Sequence, residues 1–227
     1  MDKQLLEYLQ SFITERRKEL FDEVVSKRTR QFTVVSEDVY QLHNTSAVMR
    51  SCDVFGIQEL HVIEEKYGKR IDKEIAMGAQ KWVNINRYDS TMSCIDTLRK
   101  ENYQIIAATP HNDSQLLHDF DVTKKAAFFF GRERDGLSDT VLKEADGFIK
   151  IPMYGFTESL NISVSAAIIL QHVVTKLKQS EVDWQLSEEE KHELLIDWTK
   201  KTIKSIDDIM GRFEEEGGGQ KNIDKKR

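Results

Sequence analysis

Apolar residues recur at helical spacing over residues 3–30, where Leu5, Leu6, Leu9, Phe12, Ile13, Leu20, Phe21, Val24 and Val25 are separated by charged positions. This pattern predicts one or two amphipathic helices. Phe32, Thr33, Val34 and Val35 then form a short, β-branched run that reads as a strand. Residues 44–55 return to helical character, and Gly56 supplies the stop. A strand–helix alternation follows, with strands expected at 59–63, 83–87, 104–108, 126–130 and 148–151. Helices are expected near 72–80, 90–101, 138–145 and 160–178. The run Ala126-Ala127-Phe128-Phe129-Phe130 has no polar face, which suits a strand covered on both sides in a mostly parallel sheet. Both prolines of the chain, Pro110 and Pro152, directly follow an expected strand, where a residue without an N–H ends the ladder.

After about residue 180 the pattern is helical again, through Leu194, Leu195, Ile196, Trp198, Ile203, Ile206 and Ile209. Four segments result: a basic helical extension over 1–30, an α/β domain over 31–180, C-terminal helices over 181–211, and a tail over 212–227. The tail contains Gly217-Gly218-Gly219 and is otherwise polar, so it is expected to be disordered. No internal repeat is evident.

Composition narrows the class. Of 227 residues, 39% are hydrophobic and 32% charged, as in a water-soluble domain with a modest core. No run reaches the roughly 18 apolar residues that span a bilayer, and the first residues lack a secretory pattern, so a cytoplasmic location without a membrane role is expected. The two cysteines, Cys52 and Cys94, form no CxxC pair, and the six histidines show no ligand spacing, so no metal is expected. The net charge of −6 does not favour a nucleic-acid partner by itself. Basic residues nonetheless cluster early, as Arg16, Arg17, Lys18, Lys27, Arg28 and Arg30, while acidic runs fall late. A solvated helix face would look the same.

Three segments place polar residues or glycine where an apolar strand ends or a helix begins, which is where open α/β sheets bind ligands. The first runs from His43 to Gly56 and contains Asn44 and Arg50. Read alone, it is a capped helix with a surface arginine. The second is Phe130-Gly131-Arg132-Glu133-Arg134-Asp135-Gly136-Leu137-Ser138, in which Gly131 allows close backbone approach to a ligand. It matches neither GxGxxG nor a P-loop, and an ordinary strand-to-helix turn is the plain alternative. The third runs from Ile149 to Ala167, with Ser159, Asn161, Ser163 and Ser165 gathered at the start of an otherwise apolar helix. Capping alone would account for some of these groups.

In this order and spacing the three segments resemble the three motifs of the SpoU family of SPOUT methyltransferases, and most closely the TrmH-type tRNA guanosine-2'-O-methyltransferases. The likeness covers about residues 15–180. The third motif, IPM-x-G-x-x-x-SLN-[IV]-S-[VA], is long and specific. The resemblance implies an α/β fold with a mostly parallel sheet flanked by helices, a C-terminal trefoil knot, and helical extensions at both ends. It also implies S-adenosylmethionine as cofactor, held by loops around Thr109, Gly131, Ile151 and Leu160, and a homodimer whose interface involves the first motif and the helix starting near Leu160.

Carried over by motif, the catalytic set is Arg50, Asn44, Glu133, Ser159 and Asn161. A guanidinium resists deprotonation, so Arg50 is expected to grip a phosphate and stabilise the forming alkoxide rather than act as a base. The remaining four would orient the arginine, the ribose or the cofactor. The implied substrate is structured RNA, with guanosine 18 in the D loop of tRNA as the TrmH-type target, and the early basic residues are the candidate RNA surface. An rRNA ribose methyltransferase is the alternative. Such relatives often carry a separate N-terminal RNA-binding domain of roughly 70 residues, whereas about 30 residues precede the first strand here. A non-catalytic RNA-binding protein that keeps the fold is a rival of another class, and a nicotinamide-binding protein lacks its glycine fingerprint.

Overall fold

The structure, a computed structural model, describes residues 2–39, 42–65, 78–110, 114–132 and 135–215. In chain order the elements are α1 (Asp2–Gln10), α2 (Glu15–Val25), β1 (Phe32–Glu37), α3 (Leu42–Phe55), β2 (Glu59–Ile63), β3 (Asn84–Tyr88), α4 (Thr91–Lys100), β4 (Gln104–Ala108), β5 (Gln115–Leu116), β6 (Ala126–Phe130), α5 (Asp139–Glu144), β7 (Gly147–Lys150), α6 (Ile162–Lys178), α7 (Glu188–Thr202) and α8 (Ile206–Glu215). The chain divides into two compact units, Thr29–Gln185 and a second made of Met1–Arg28 with Leu186–Arg227.

The larger unit is built on a seven-stranded sheet in the order β3-β2-β1-β6-β4-β7-β5, with every paired strand parallel. All residues of β1 and β6, the central pair, are buried; β6 is apolar throughout, whereas β1 also buries Thr33, Ser36 and Glu37. Alternation divides their side chains between two cores. Phe32, Val34 and Phe128 meet Val48, Met49, Leu170 and Val173 of α3 and α6 on one face. Val35, Ala127 and Phe129 meet Cys94, Ile95, Leu98 and Val141 of α4 and α5 on the other. Later strands are inserted between earlier ones: β6 lies between β1 and β4, and β7 lies between β4 and β5. The C-terminal ends of β4, β6 and β7 are thereby brought side by side.

In the smaller unit the terminal helices share a core. Trp198 of α7 is buried and meets the Phe21 ring edge-on at 5.8 Å, with the Arg28 guanidinium 5.4 Å from its ring centre. Tyr8 of α1 contacts the Phe213 ring of α8 at 5.0 Å, and its hydroxyl donates to the Ile209 carbonyl at 3.4 Å.

The expected strands are all present, within a residue or two at their ends. Helices 90–101, 138–145 and 160–178 correspond to α4, α5 and α6, and Gly56 ends α3 with φ of 78°. Three differences have physical reasons. The strand β5 has only two residues, too few to show a period. The helix expected at 72–80 falls largely on residues 66–77, outside the described residues, and Ala79–Lys81 forms a single 3-10 turn. Residues 212–215 are not disordered but complete α8, where Phe213 continues the apolar spacing of Ile206 and Ile209. Residues 216–227 lie outside the described residues.

Candidate active site

A cavity of about 610 Å³ opens at the joined ends of β4, β6 and β7. Its walls are Thr109 and Pro110 after β4, Gly131, Arg132, Asp135, Gly136 and Leu137 after β6, Ile151 and Met153 after β7, Glu158 to Asn161 before α6, and Ile162 at its start. This volume suits a ligand of cofactor size, and the mixture of aliphatic walls and a few polar groups is typical of such sites.

The loop after β6 is folded tightly on itself. The Arg132 N–H donates to the Gly136 carbonyl, and the Gly136 N–H donates back to Arg132, each at 2.9 Å. A Cβ on Gly131 would lie 2.3 Å from the Gly136 carbonyl carbon, so only glycine lets the two backbone segments come this close. Gly136 itself has φ of 68°, in the left-handed region. Within the loop the Arg132 guanidinium pairs with Asp135 at 3.0 Å. Thr109 is held against the neighbouring strand by its N–H donating to the Ile149 carbonyl at 3.0 Å.

Asn161 caps α6. Its Oδ1 accepts from the Ser163 N–H at 2.8 Å and from the Ser163 hydroxyl at 2.6 Å. Its Nδ2 donates to Oδ1 of Asn44 at 3.1 Å, and Asn44 is buried in the first turns of α3. The first and third segments therefore meet through one amide pair.

Thr109, Gly131, Ile151 and Leu160 all line the cavity, together with Ser159 and Asn161. Asn44 is joined to them through Asn161. Arg50 is exposed on α3 and is not among the lining residues. Glu133 lies outside the described residues. Arg132, Asp135, Met153 and Glu158 also line the cavity and were not singled out from the sequence, because loop positions carry no periodic signal.

The early basic residues do not form one solvent-facing patch. Arg28 is 1% exposed and packs over Trp198, which corrects the expectation of a surface role for it. Arg30 donates to Glu59 at 3.0 Å and is only partly exposed. Lys18 pairs with Glu15 at 2.9 Å and Lys27 with Glu23 at 2.5 Å, while Arg16 and Arg17 are exposed. Both cysteines are buried and free. Among the described residues no group of three or more His, Cys, Asp or Glu side chains could hold a metal ion, and no helix is long and apolar enough to cross a membrane.

Residues 31–171 match the model of the SpoU rRNA Methylase family. A Borreliella burgdorferi protein named tRNA (guanosine(18)-2'-O)-methyltransferase is 37% identical over 197 residues, covering 87% of this chain and 90% of the relative. The crystal structure of the TrmH/SpoU tRNA modifying enzyme of A. aeolicus superposes with a TM-score of 0.75 at 32% identity, covering 83% of this chain and 98% of that one. The SpoU methyltransferase AviRb from Streptomyces viridochromogenes, solved in complex with the cofactor AdoMet, shares the fold with a TM-score of 0.60 at 22% identity, over 70% of this chain and 65% of its own. The family match runs through all three segments that the structure joins at the Asn44–Asn161 pair and the cavity, and on that ground the chain belongs to the SpoU rRNA Methylase family.

Proposed function

We propose that this protein is an S-adenosylmethionine-dependent ribose 2'-O-methyltransferase acting on tRNA, with guanosine 18 of the D loop as the target. The observation that carries the reading is the cavity at the ends of β4, β6 and β7, lined by Asn161 of the third segment, to which Asn44 of the first segment is hydrogen-bonded. The named activity of the Borreliella burgdorferi relative supports the same substrate.

The residues present fit the cofactor. The close approach of Gly131 to Gly136 leaves backbone where a side chain would otherwise intrude, and Leu137, Ile149, Ile151 and Ile162 supply apolar walls for a flat base. Thr109, Gly131, Ile151 and Leu160 would hold the group. When bound, S-adenosylmethionine supplies an electrophilic methyl group on a sulfonium. The chain's own task is alignment, because in-line displacement requires the ribose oxygen to be held on the axis of the breaking bond. Asn161, held by its hydrogen bond to Asn44, presents a polar group to the cavity. Ser159 adds a hydroxyl there, and Glu133, outside the described residues, belongs to the set by the motif resemblance alone. Arg50 would bind the adjacent phosphate through its planar fork and stabilise negative charge building on the ribose oxygen.

Arg50 does not line the cavity in the single chain, and a homodimer would bring a second copy's surface to it. Leu160, Val164 and Ile168, spaced by four residues, are exposed at the start of and along α6, and Val54 is 68% exposed on α3. A second copy packing on these residues would bury an apolar surface that a monomer leaves in water. The knotted threading implied by the family is supported by the insertion of β6 and β7 between earlier strands. Within the early basic cluster, Arg16, Arg17, Lys18 and Lys27 are the side chains with surface left to contact RNA phosphates, and a tRNA substrate would place this work in the cytoplasm.

The test is incubation of the purified chain with methyl-labelled cofactor and either total tRNA or rRNA, followed by mapping of ribose positions that resist alkaline cleavage. Label at guanosine 18 of tRNA is the expected result. Label confined to rRNA would replace the substrate assignment, and no uptake of cofactor or its demethylated product in calorimetry, with RNA present, would end the methyltransferase reading.

A further inference from the structure

At the C-terminal end of β1, two residues past Val35 and so on the same face, covered by α4 and α5, lies Glu37, which is 2% exposed. A buried carboxylate is costly unless its oxygens receive hydrogen bonds. Here three donors converge on it. The Ser138 N–H donates to Oε2 at 2.8 Å, the Ser138 hydroxyl to Oε1 at 2.6 Å, and the Thr91 hydroxyl to Oε1 at 2.7 Å. Thr91 opens α4 and Ser138 caps α5, so the negative charge also faces the positive ends of two helices.

Ser138 is the residue immediately after Gly136 and Leu137, which form one wall of the cavity. That wall is anchored at three places. Phe130 is buried in the sheet, the Arg132–Gly136 backbone pair closes the loop, and Glu37 holds the far end. The same carboxylate ends the strand that leads into α3 and Asn44. It therefore ties the segment before the first motif to the loop of the second. Thr91 plays no part in the wall.

We propose that Glu37 is a positioning residue for the cofactor, acting through Ser138 to set the Gly136–Leu137 backbone against the cavity. The inference rests on the functional reading above. Its signature is selective. Loosening this tie weakens cofactor binding, while RNA binding, which uses other residues, stays as it is. Loss of the Thr91 arm removes a similar hydrogen bond but leaves the wall in place.

The experiment uses the full chain and its Glu37→Gln, Ser138→Ala and Thr91→Val variants. S-adenosylhomocysteine binding is measured by calorimetry, and turnover is measured with cofactor and tRNA varied separately. A carboxamide offers one acceptor oxygen to three donors, and hydrogen bonds to a charged group matter enough that Glu37→Gln and Ser138→Ala should each weaken the ligand about tenfold. The KM for cofactor should rise by the same factor, with the KM for tRNA changed less than about twofold. The double variant should be little worse than Glu37→Gln alone, since the Ser138 hydroxyl bond lost in Ser138→Ala is one of those that Glu37→Gln already weakens. Thr91→Val should lower the melting temperature yet leave ligand affinity within about twofold. Wild-type affinity in the folded Glu37→Gln variant, or a loss in Thr91→Val equal to that in Ser138→Ala, would overturn the proposal and leave Glu37 as a purely structural tie. Should Glu37→Gln fail to fold, the contrast between Ser138→Ala and Thr91→Val decides. If the wild-type chain itself takes up no ligand, the functional reading fails instead, a result distinct from all of these.

Discussion

The Asn161 amide donates to Oδ1 of Asn44 at 3.1 Å, across 117 positions of sequence, while its own oxygen caps α6 through Ser163. One side chain thus both starts a helix and fixes a buried amide on another. Asn161→Ala removes the cap and the donor together, and a lost cap alone costs about 1 kcal/mol. A cycle with Asn44→Ala should show a coupling of about 1 kcal/mol in denaturant unfolding. Additive single effects would mean that the contact carries no energy.

Gly131→Ala should be more damaging than an added methyl usually is. The new Cβ would lie 2.3 Å from backbone atoms of Gly136, and no flexible side chain can move aside. The loop must open, at a cost of about 1–3 kcal/mol, and cofactor affinity should fall more than about tenfold. Calorimetry and thermal unfolding of the same preparation give both quantities.

Arg50→Lys separates chemistry from folding. The side chain is exposed, so stability should change by less than about 0.5 kcal/mol. Lysine cannot reproduce a bidentate grip on phosphate, and turnover should fall at least about a hundredfold. Cofactor affinity should not change. Near-wild-type turnover would count against the fork-like contact.

A fourth expectation concerns acid. Burial pushes the Glu59 carboxyl up, but attraction to His61 and to Arg30 outweighs it and holds the group below the usual glutamate range. A depressed value in the folded state means that the stability is present in full above the unfolded value of about 4.3. It is lost as pH falls through the lower, folded value. Arg30→Met should therefore destabilise by about 2 kcal/mol at neutral pH, and the gap from wild type should close in strongly acidic buffer. A gap that stays constant down to that range would show that Glu59 is not the partner that matters.

The strand–helix alternation could be read from the chain because burial leaves local marks. Ala126 to Phe130 have no polar face, and the strand they form is covered on both sides. The cavity loops were equally accessible, since Gly131 and the group from Ser159 to Asn161 break the apolar pattern at strand and helix ends. Glu37 was overlooked because its importance lies in Ser138 and Thr91, distant residues that no local window contains. Arg28 misled for the same reason: a cluster of like charges looks exposed until Trp198 is found beside one of them.

By itself the chain of residues determined the order of the elements, the parallel sheet they favour and the three segments that carry the chemistry. These follow from short-range periodicity and backbone preference, which act within a few residues. Only the tertiary structure decided that Asn44 meets Asn161, that Glu37 holds Ser138, that Arg28 is buried and that Arg50 is not part of the cavity lining. Each is a long-range pairing set by how strands are ordered and helices packed, and that geometry has no local trace.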